Sequence, residues 1–354
     1  MPLKVGILGA ANIARKICRA FTFTDCAEVV AVGSRDVNKS KQFIADCKLK
    51  NAVPYGSYQE VLDDPNVEAV YIPLPAALHL EWVTKAAAKG KHVMSEKPIA
   101  LTSEDTETMM KACRAANVQF MDGTMWTHSP RTAAMREVLR DVGRLGEVRE
   151  VSTLFAFQAS EDFLRIDVRV KADCDALGCF DVGWYCVRAI LWAFQFEVPV
   201  AVFAHGGATF NDEGVPMHIG GTLLYSDGRR GNFECGFDRA LTQYLEVAGT
   251  TGTIRLDDFV IPREERKCGF TVTGNHGLRE MDTYDGTERE EKIIFLERPQ
   301  ECYLWETFAA CAEGIKAGSV ADEWWPTIAA LTQKVCCAVL ESARNGCKEV
   351  QVQM

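Results

Sequence analysis

The sequence predicts a two-domain α/β protein: an amino-terminal doubly wound parallel sheet, then an α+β domain with a mostly antiparallel sheet and helices on one face. Three observations predict it. Strand-like and helical patterns alternate through residues 1–124, as in a parallel sheet with right-handed crossovers. After Trp126 the rhythm changes to β-rich segments separated by turn signals. The 354 residues are 47% apolar and 25% charged, an ordinary globular composition with enough chain for two cores. The division expected is 1–124 for the first domain and 125–354 for the second.

Lys4–Gly9 is a short apolar run ending in glycine, which reads as a strand. Asn12–Phe21 follows with Ile13, Ile17, Ala20 and Phe21 at helical spacing. Glu28–Gly33 is a second strand and Val37–Cys47 a second helix. Ala69–Leu74 is a strand running into Pro73-Leu74-Pro75, and His79–Lys89 a helix with Gly90 as its C-cap. His92–Ser95 is a strand leading into Glu96-Lys97-Pro98. Thr102 and Asp105 make a capping box for a helix to Ala116, and Val118–Met121 closes the series.

Arg131–Val142 is still helical. The β-rich stretches after it are Val148–Phe157, Val200–Ala208, Gly220–Tyr225, Gly231–Phe237, Tyr244–Gly249 and Thr253–Leu256. Asp227-Gly228 and Gly249-Thr250-Thr251-Gly252 are hairpin turns. Cys179–Phe194 interrupts them as an apolar helix. Tyr303–Lys316 and Thr327–Asn345 are closing helices, and Gly346 ends the latter. Gly274–Glu291 is polar and glycine-bearing, which reads as a mobile loop.

The net charge of −10 comes with no basic stripe, so neither nucleic acid nor an anionic membrane surface is an expected partner. No apolar run reaches the ~18 residues of a membrane span, and the amino terminus lacks the length of a secretory signal. The 14 cysteines contain no CxxC pair and read as free, mostly buried thiols in a reducing cytoplasm. No three-ligand cluster suggests a metal.

Two motifs carry chemistry. Gly9-Ala10-Ala11-Asn12-Ile13-Ala14 leads the first strand into the first helix, so Gly9, Ala11 and Ala14 fill the three positions of the dinucleotide fingerprint. Only the first is glycine; the N–H groups around Asn12 and Ile13 can still face a diphosphate. At the tip of the second strand, Gly33-Ser34-Arg35 stands where an NAD site has an acid. Arg35 can pair with a 2′-phosphate, Ser34 can donate to it and Lys39 lies one turn on, which favours NADP(H) over NAD(H). The second motif, Glu96-Lys97-Pro98, puts Lys97 at the carboxyl end of a parallel strand, where open α/β sheets bind ligands. Beside an oxidised nicotinamide such a lysine can work as a general acid/base.

With Ser34-Arg35, Pro75-x-x-x-His79 and Gly178-Cys179-Phe180-Asp181-Val182-Gly183-Trp184-Tyr185, these motifs resemble the glucose–fructose oxidoreductase / inositol dehydrogenase / rhizopine catabolism (Gfo/Idh/MocA) family along nearly the whole chain. Within it the chain looks most like the dimeric dihydrodiol dehydrogenase and NADP-dependent D-xylose dehydrogenase branch, whose plant-type members share the look of Met121-Asp122-Gly123-Thr124-Met125-Trp126. The resemblance implies a Rossmann domain, a second domain with a large open antiparallel sheet, an active site between them and a homodimer through the sheet's open face. It carries Lys97 over as the catalytic lysine, and Pro75, His79 and Glu96 as cofactor-side positions. In many members the second domain's helix supplies Asp and His four apart; here the pair is Asp181 and Tyr185, which share a helix face. Tyrosine there marks the dihydrodiol and aldose branch and argues against inositol or glucose activity. Trp126 stands where this branch places an aromatic wall, or is a core residue at the domain junction; His128 lies beside it. Arg169 resembles an arginine that touches substrate or braces its loop.

The activity implied is an NADP-dependent oxidoreductase passing a hydride between nicotinamide and a small polyol, an aldose such as D-xylose at C1, or a trans-dihydrodiol. Lys97 or Tyr185 handles the proton and Asp181 orients the pair. The rival is a non-catalytic NADP-binding sensor on the same fold, which has no need of all three residues.

Overall fold

The computed structural model describes residues 1–274, 277–279, 283–285 and 288–353. The chain forms two compact units, Met1–His128 with Arg298–Ala330, and Ser129–Glu297 with Leu331–Met354.

The first unit alternates β1 (Leu3–Leu8), α1 (Asn12–Ala20), β2 (Ala27–Gly33), α2 (Val37–Asp46), β3 (Val53–Tyr55), α3 (Tyr58–Asp63), β4 (Ala69–Ile72), α4 (His79–Ala88), β5 (His92–Ser95), α5 (Ser103–Ala115) and β6 (Phe120–Asp122). All neighbours in the sheet run parallel in the order β3-β2-β1-β4-β5-β6, a doubly wound arrangement with its switch between β1 and β4. Central strands are apolar on both faces, as helices on both sides require: Val5, Ile7, Val70, Ile72, Val93 and Met94 have no exposure. The helices start at side-chain caps where the sequence offers them, with Asp36, Ser57 and Thr102 accepting from Asn38, Glu60 and Asp105 N–H. β3 and α3 were not legible: three and six residues are too short to show a period.

The second unit contains α6 (Pro130–Arg140), β7 (Val148–Gln158), α7 (Glu161–Ile166), α8 (Phe180–Ala193), β8 (Ala201–Ala204), β9 (Thr209–Phe210), β10 (Pro216–Leu224), β11 (Arg230–Gly236), β12 (Asp238–Gly249), β13 (Gly252–Leu256), β14 (Lys267–Gly274), β15 (Gly277–Arg279), β16 (Thr283–Asp285) and β17 (Glu288–Phe295). Its sheet has ten strands in the order β17-β14-β13-β12-β7-β11-β10-β8-β18, with β18 at Val350–Gln351 and β9 paired to β10; only β7 and β11 run parallel. α8 lies on one face. A Cβ at Gly183 would stand 2.6 Å from Cys235 Sγ on β11, so glycine is what lets helix and strand approach this closely. Gly274–Glu291, expected as a mobile loop, instead contains β15 and β16, paired with each other, and the start of the edge strand β17. The polar sequence of β17 hid it, because polar residues suit an edge strand. The remaining positions of that stretch lie outside the described residues.

α9 (Gln300–Lys316) belongs to the first unit, unlike the expected single second domain over 125–354. The reason is packing: Trp305 of α9 meets Phe21 and Tyr71 edge-to-face at 4.8 and 5.7 Å, and Cys302 Sγ donates to the Ala20 carbonyl at 3.3 Å. α10 (Trp324–Arg344) crosses from one unit to the other along the chain. In the second unit its carboxyl half accepts from Arg188 Nε at Thr332 Oγ1, 2.7 Å, and from Ala204 N–H at Ser342 Oγ, 2.8 Å. All fourteen cysteines are free thiols. Among the described residues no helix is long and apolar enough to cross a membrane, and no group of three His, Cys, Asp or Glu could hold a metal.

Candidate active site

The first unit supplies a nucleotide cradle at the carboxyl ends of its strands. Gly9 follows β1 with φ +116°, a conformation glycine adopts without strain, and its N–H bonds the Gly33 carbonyl at 2.8 Å. Ala11 is the extended N-cap of α1, which has no side-chain cap and no acid in its first turn; Asn12 and Ile13 are exposed there. A helix end with free amides and positive partial charge suits a diphosphate. At the tip of β2, Ser34 is buried while Arg35 and Lys39 are exposed. Asp36, the acid beside the tip, is committed to capping α2 through Asn38 N–H at 2.9 Å. Two cations at a positive helix end are mutually unfavourable unless an anion joins them, so this corner fits a 2′-phosphate.

Two loops after β4 and β5 are clasped together by His79. Its ring, 1% exposed, has Nε2 2.8 Å from the Leu74 carbonyl and Nδ1 3.0 Å from the Ile99 carbonyl. Burial pushes its pKa down despite those two carbonyls, so the neutral ring donates to one of them at a time. His79 therefore sits inside the loop pair rather than on its surface, and Pro75, half-buried, starts the short helical turn before it. Glu96 is also turned inward: it accepts from Tyr71 Oη at 2.5 Å and from Lys97 N–H at 3.3 Å. Lys97, half-buried, follows with a cis bond to Pro98. Trp126 is 1% exposed, in the turn Met125–His128. His128 stacks on Trp325 at 4.4 Å and bonds Thr307 Oγ1 at 3.1 Å.

In the second unit Asp181 and Tyr185 lie one turn apart on α8, as their spacing requires. Tyr185 is 6% exposed, with its ring 6.0 Å from that of Phe155. Asp181 Oδ2 receives Arg169 Nη1 at 2.9 Å, and Arg169 is gripped from behind by Asp167 through Nε at 2.8 Å and Nη2 at 3.0 Å. The guanidinium lies 4.6 Å over the Phe163 ring. Burial alone would raise Asp167, but the Arg169 side chain and backbone N–H outweigh it and hold the carboxyl below its ordinary range. Arg169 stays charged: burial opposes its charge, and the two carboxylates overcome that. These contacts tie Arg169 to Asp167 within its own loop and to Asp181 on α8. Sequence reasoning had not picked out Tyr71 or Asp167 for the site; the acid two residues before Arg169 was the available signal for the latter.

Two family models match the chain. The model described as "Oxidoreductase family, NAD-binding Rossmann fold" matches residues 3–124, and the GFO/IDH/MocA C-terminal domain matches residues 132–255. The chain is 31% identical over 329 residues to D-xylose 1-dehydrogenase (NADP(+)) 2 of Haloferax volcanii, covering 90% of this chain and 98% of that protein. It is 30% identical to trans-1,2-dihydrobenzene-1,2-diol dehydrogenase of Mus musculus, over 75% of this chain and 77% of that one. The crystal structure of a 3-ketoreductase from Actinomadura kijaniata, in complex with NADP and TDP-benzene, shares the fold with a TM-score of 0.80 and 24% identity, covering 97% of this chain and 98% of that chain. The chain belongs to the GFO/IDH/MocA oxidoreductase family.

Proposed function

We propose that this protein is an NADP-dependent oxidoreductase acting on the CH–OH group of a small polyol, an aldose such as D-xylose at C1, or a trans-dihydrodiol. The observation that carries the reading is Lys97, set just past the carboxyl end of β5, at the same sheet end as the uncapped α1 and the Arg35–Lys39 corner. The D-xylose and dihydrodiol dehydrogenases among the relatives support the substrate class. Gly9, Ala11, Asn12 and Ile13 would hold the diphosphate; Ser34, Arg35 and Lys39 would hold the 2′-phosphate. When bound, the cofactor supplies the hydride acceptor at nicotinamide C4. Lys97 and Tyr185 handle the hydroxyl proton, and the Lys97 ammonium steadies the developing alkoxide. Asp181, which accepts from Arg169, would orient Tyr185 on the same helix face.

A screen of aldoses, polyols and dihydrodiols for NADP⁺ reduction tests this, with Lys97→Met as the control. Turnover that drops about 10²–10⁴-fold in the variant while NADPH still binds is the expected result. No turnover on any substrate, with NADPH bound tightly, would make the protein a sensor instead. The free thiols fit a cytoplasmic setting. A homodimer is proposed through the sheet face opposite α8, which carries Arg255 and the exposed Ile293 and Phe295. A single chain mass by light scattering at micromolar concentration would refute it.

A further inference from the structure

Tyr71 is a buried residue that the reading above does not use. It lies on β4, one strand from Lys97, and only 1% of it is exposed. Its ring is held edge-on by Trp305 of α9 at 5.7 Å, and Trp305 is itself held by Phe21 and Phe308 at 4.8 and 5.5 Å. A ring so fixed points its hydroxyl one way, and that hydroxyl donates to Glu96 Oε1 at 2.5 Å. The other oxygen of the same carboxylate receives the Lys97 N–H at 3.3 Å. The opposite side of the carboxylate is walled by Gly123, where a Cβ would stand 2.9 Å from Oε1 and 3.2 Å from Oε2. The backbone is tied in as well, because Glu96 N–H bonds the Ile72 carbonyl at 3.1 Å and Gly123 N–H bonds the Ser95 carbonyl at 2.9 Å.

We propose that Tyr71 is a positioning residue for the reaction: its phenol fixes the Glu96 carboxylate, and the carboxylate fixes the backbone of Lys97. The inference rests on Lys97 being the proton-handling lysine.

The test is a set of variants read by kcat and by NADPH affinity. Tyr71→Phe keeps the ring against Trp305 and deletes only the donor. It is expected to lower kcat about tenfold and leave the NADPH Kd unchanged. Glu96→Gln keeps an acceptor for the phenol and for the Lys97 N–H, and is expected to retain about tenfold more kcat than Glu96→Ala. Gly123→Ala pushes the carboxylate from its other side and should lower kcat in the same way, which keeps the test open if Tyr71→Phe folds poorly. A Tyr71→Phe enzyme with wild-type kcat overturns the proposal and leaves Tyr71 as packing. A Glu96→Gln enzyme no faster than Glu96→Ala also overturns it. Should Lys97→Met keep its turnover, the reading of Lys97 falls instead, and the two failures are told apart by that control.

Discussion

The two units hold their chemistry by different means. Around Lys97 the ties are short, local and mostly uncharged: a phenol on a carboxylate, a backbone N–H on the same carboxylate, and a neutral imidazole between two carbonyls. In the second unit the comparable ties are ion pairs. Asp167, Arg169 and Asp181 form one; Arg131 and Asp258 another; His218, Glu234, Asp238 and Arg239 a third. The distinction matters because a carbonyl contact is indifferent to salt and pH, whereas an ion pair depends on both and fails badly when one partner is removed. The loops about Lys97 are therefore held mainly by neutral ties, whereas the ties about Asp181 are ion pairs that salt and pH weaken.

The largest expected effect tests that claim on stability. Arg131 is 2% exposed, bonds Asp258 Oδ1 at 2.5 Å, and donates to the Asp258 and Phe259 carbonyls at 2.8 and 2.9 Å. Arg131→Met leaves a carboxylate and two carbonyls in poor solvent, and the second unit should lose about 3 kcal/mol. Urea unfolding followed by tryptophan fluorescence measures it; a loss below about 1 kcal/mol would mean that the ionic ties are no more demanding than the neutral ones.

Arg169→Met comes next, read by activity. With the guanidinium gone, Asp167 and Asp181 repel each other and one of them takes a proton more readily. Activity should fall about 10- to 100-fold, and the acid limb of the kcat/KM profile should move to higher pH. Arg169→Lys should recover only part of it, since an ammonium cannot grip Asp167 with two nitrogens and reach Asp181 with a third. An unmoved acid limb would leave Arg169 as a loop brace with no influence on Asp181.

How far the sequence reached follows the same divide. Elements with a clear period and glycine or proline punctuation were legible, such as His92–Ser95, the helix ended by Gly90 and the hairpin at Asp227-Gly228. Asp181 and Tyr185 were legible because one helical turn puts them on one face. Local motifs also single out candidates, as with Arg35 and Lys97. What they do not reveal is what each residue touches. Tyr71 lies 25 residues from Glu96 along the chain, and Arg131 lies 127 from Asp258. Such partners are set by strand order and register, which local pattern leaves open. α9 is the same lesson at larger scale: its apolar face is plain in sequence, but that it packs on β4 and α1 is a tertiary fact.

The smallest effect is the pH dependence of stability, and it sharpens the contrast most directly. His218 Nε2 lies 3.0 Å from Glu234 Oε2, while Nδ1 lies between Arg239 Nη2 at 2.8 Å and Asp238 Oδ2 at 3.3 Å. The neutral ring can accept from Arg239, and the charged ring donates to Asp238. The Glu234 hydrogen bond, with Asp238 behind it, outweighs burial and the Arg239 charge, so the His218 pKa is raised above 6.5. A raised folded-state pKa contributes stability that is complete below the unfolded value and fades as pH climbs through the folded one. Glu234 is lowered from 4.5, chiefly by the His218 bond, so its share is present above that value and fades as pH falls through the lowered one. The two together make the cluster strongest between about pH 5 and 6.5. Wild-type melting temperature should therefore decline from pH 6 to pH 8 by more than that of His218→Gln, in which the amide keeps a hydrogen bond but cannot charge. His205, 3.3 Å from Glu234 Oε1 through Nδ1, shares the carboxylate with His218, so a His205→Gln background isolates the His218 share. A difference of one to two degrees is the expected size for a partly exposed pair. If the two curves run parallel, the imidazole is neutral throughout and the cluster behaves like the clasp at His79, which would erase the distinction between the units at this site.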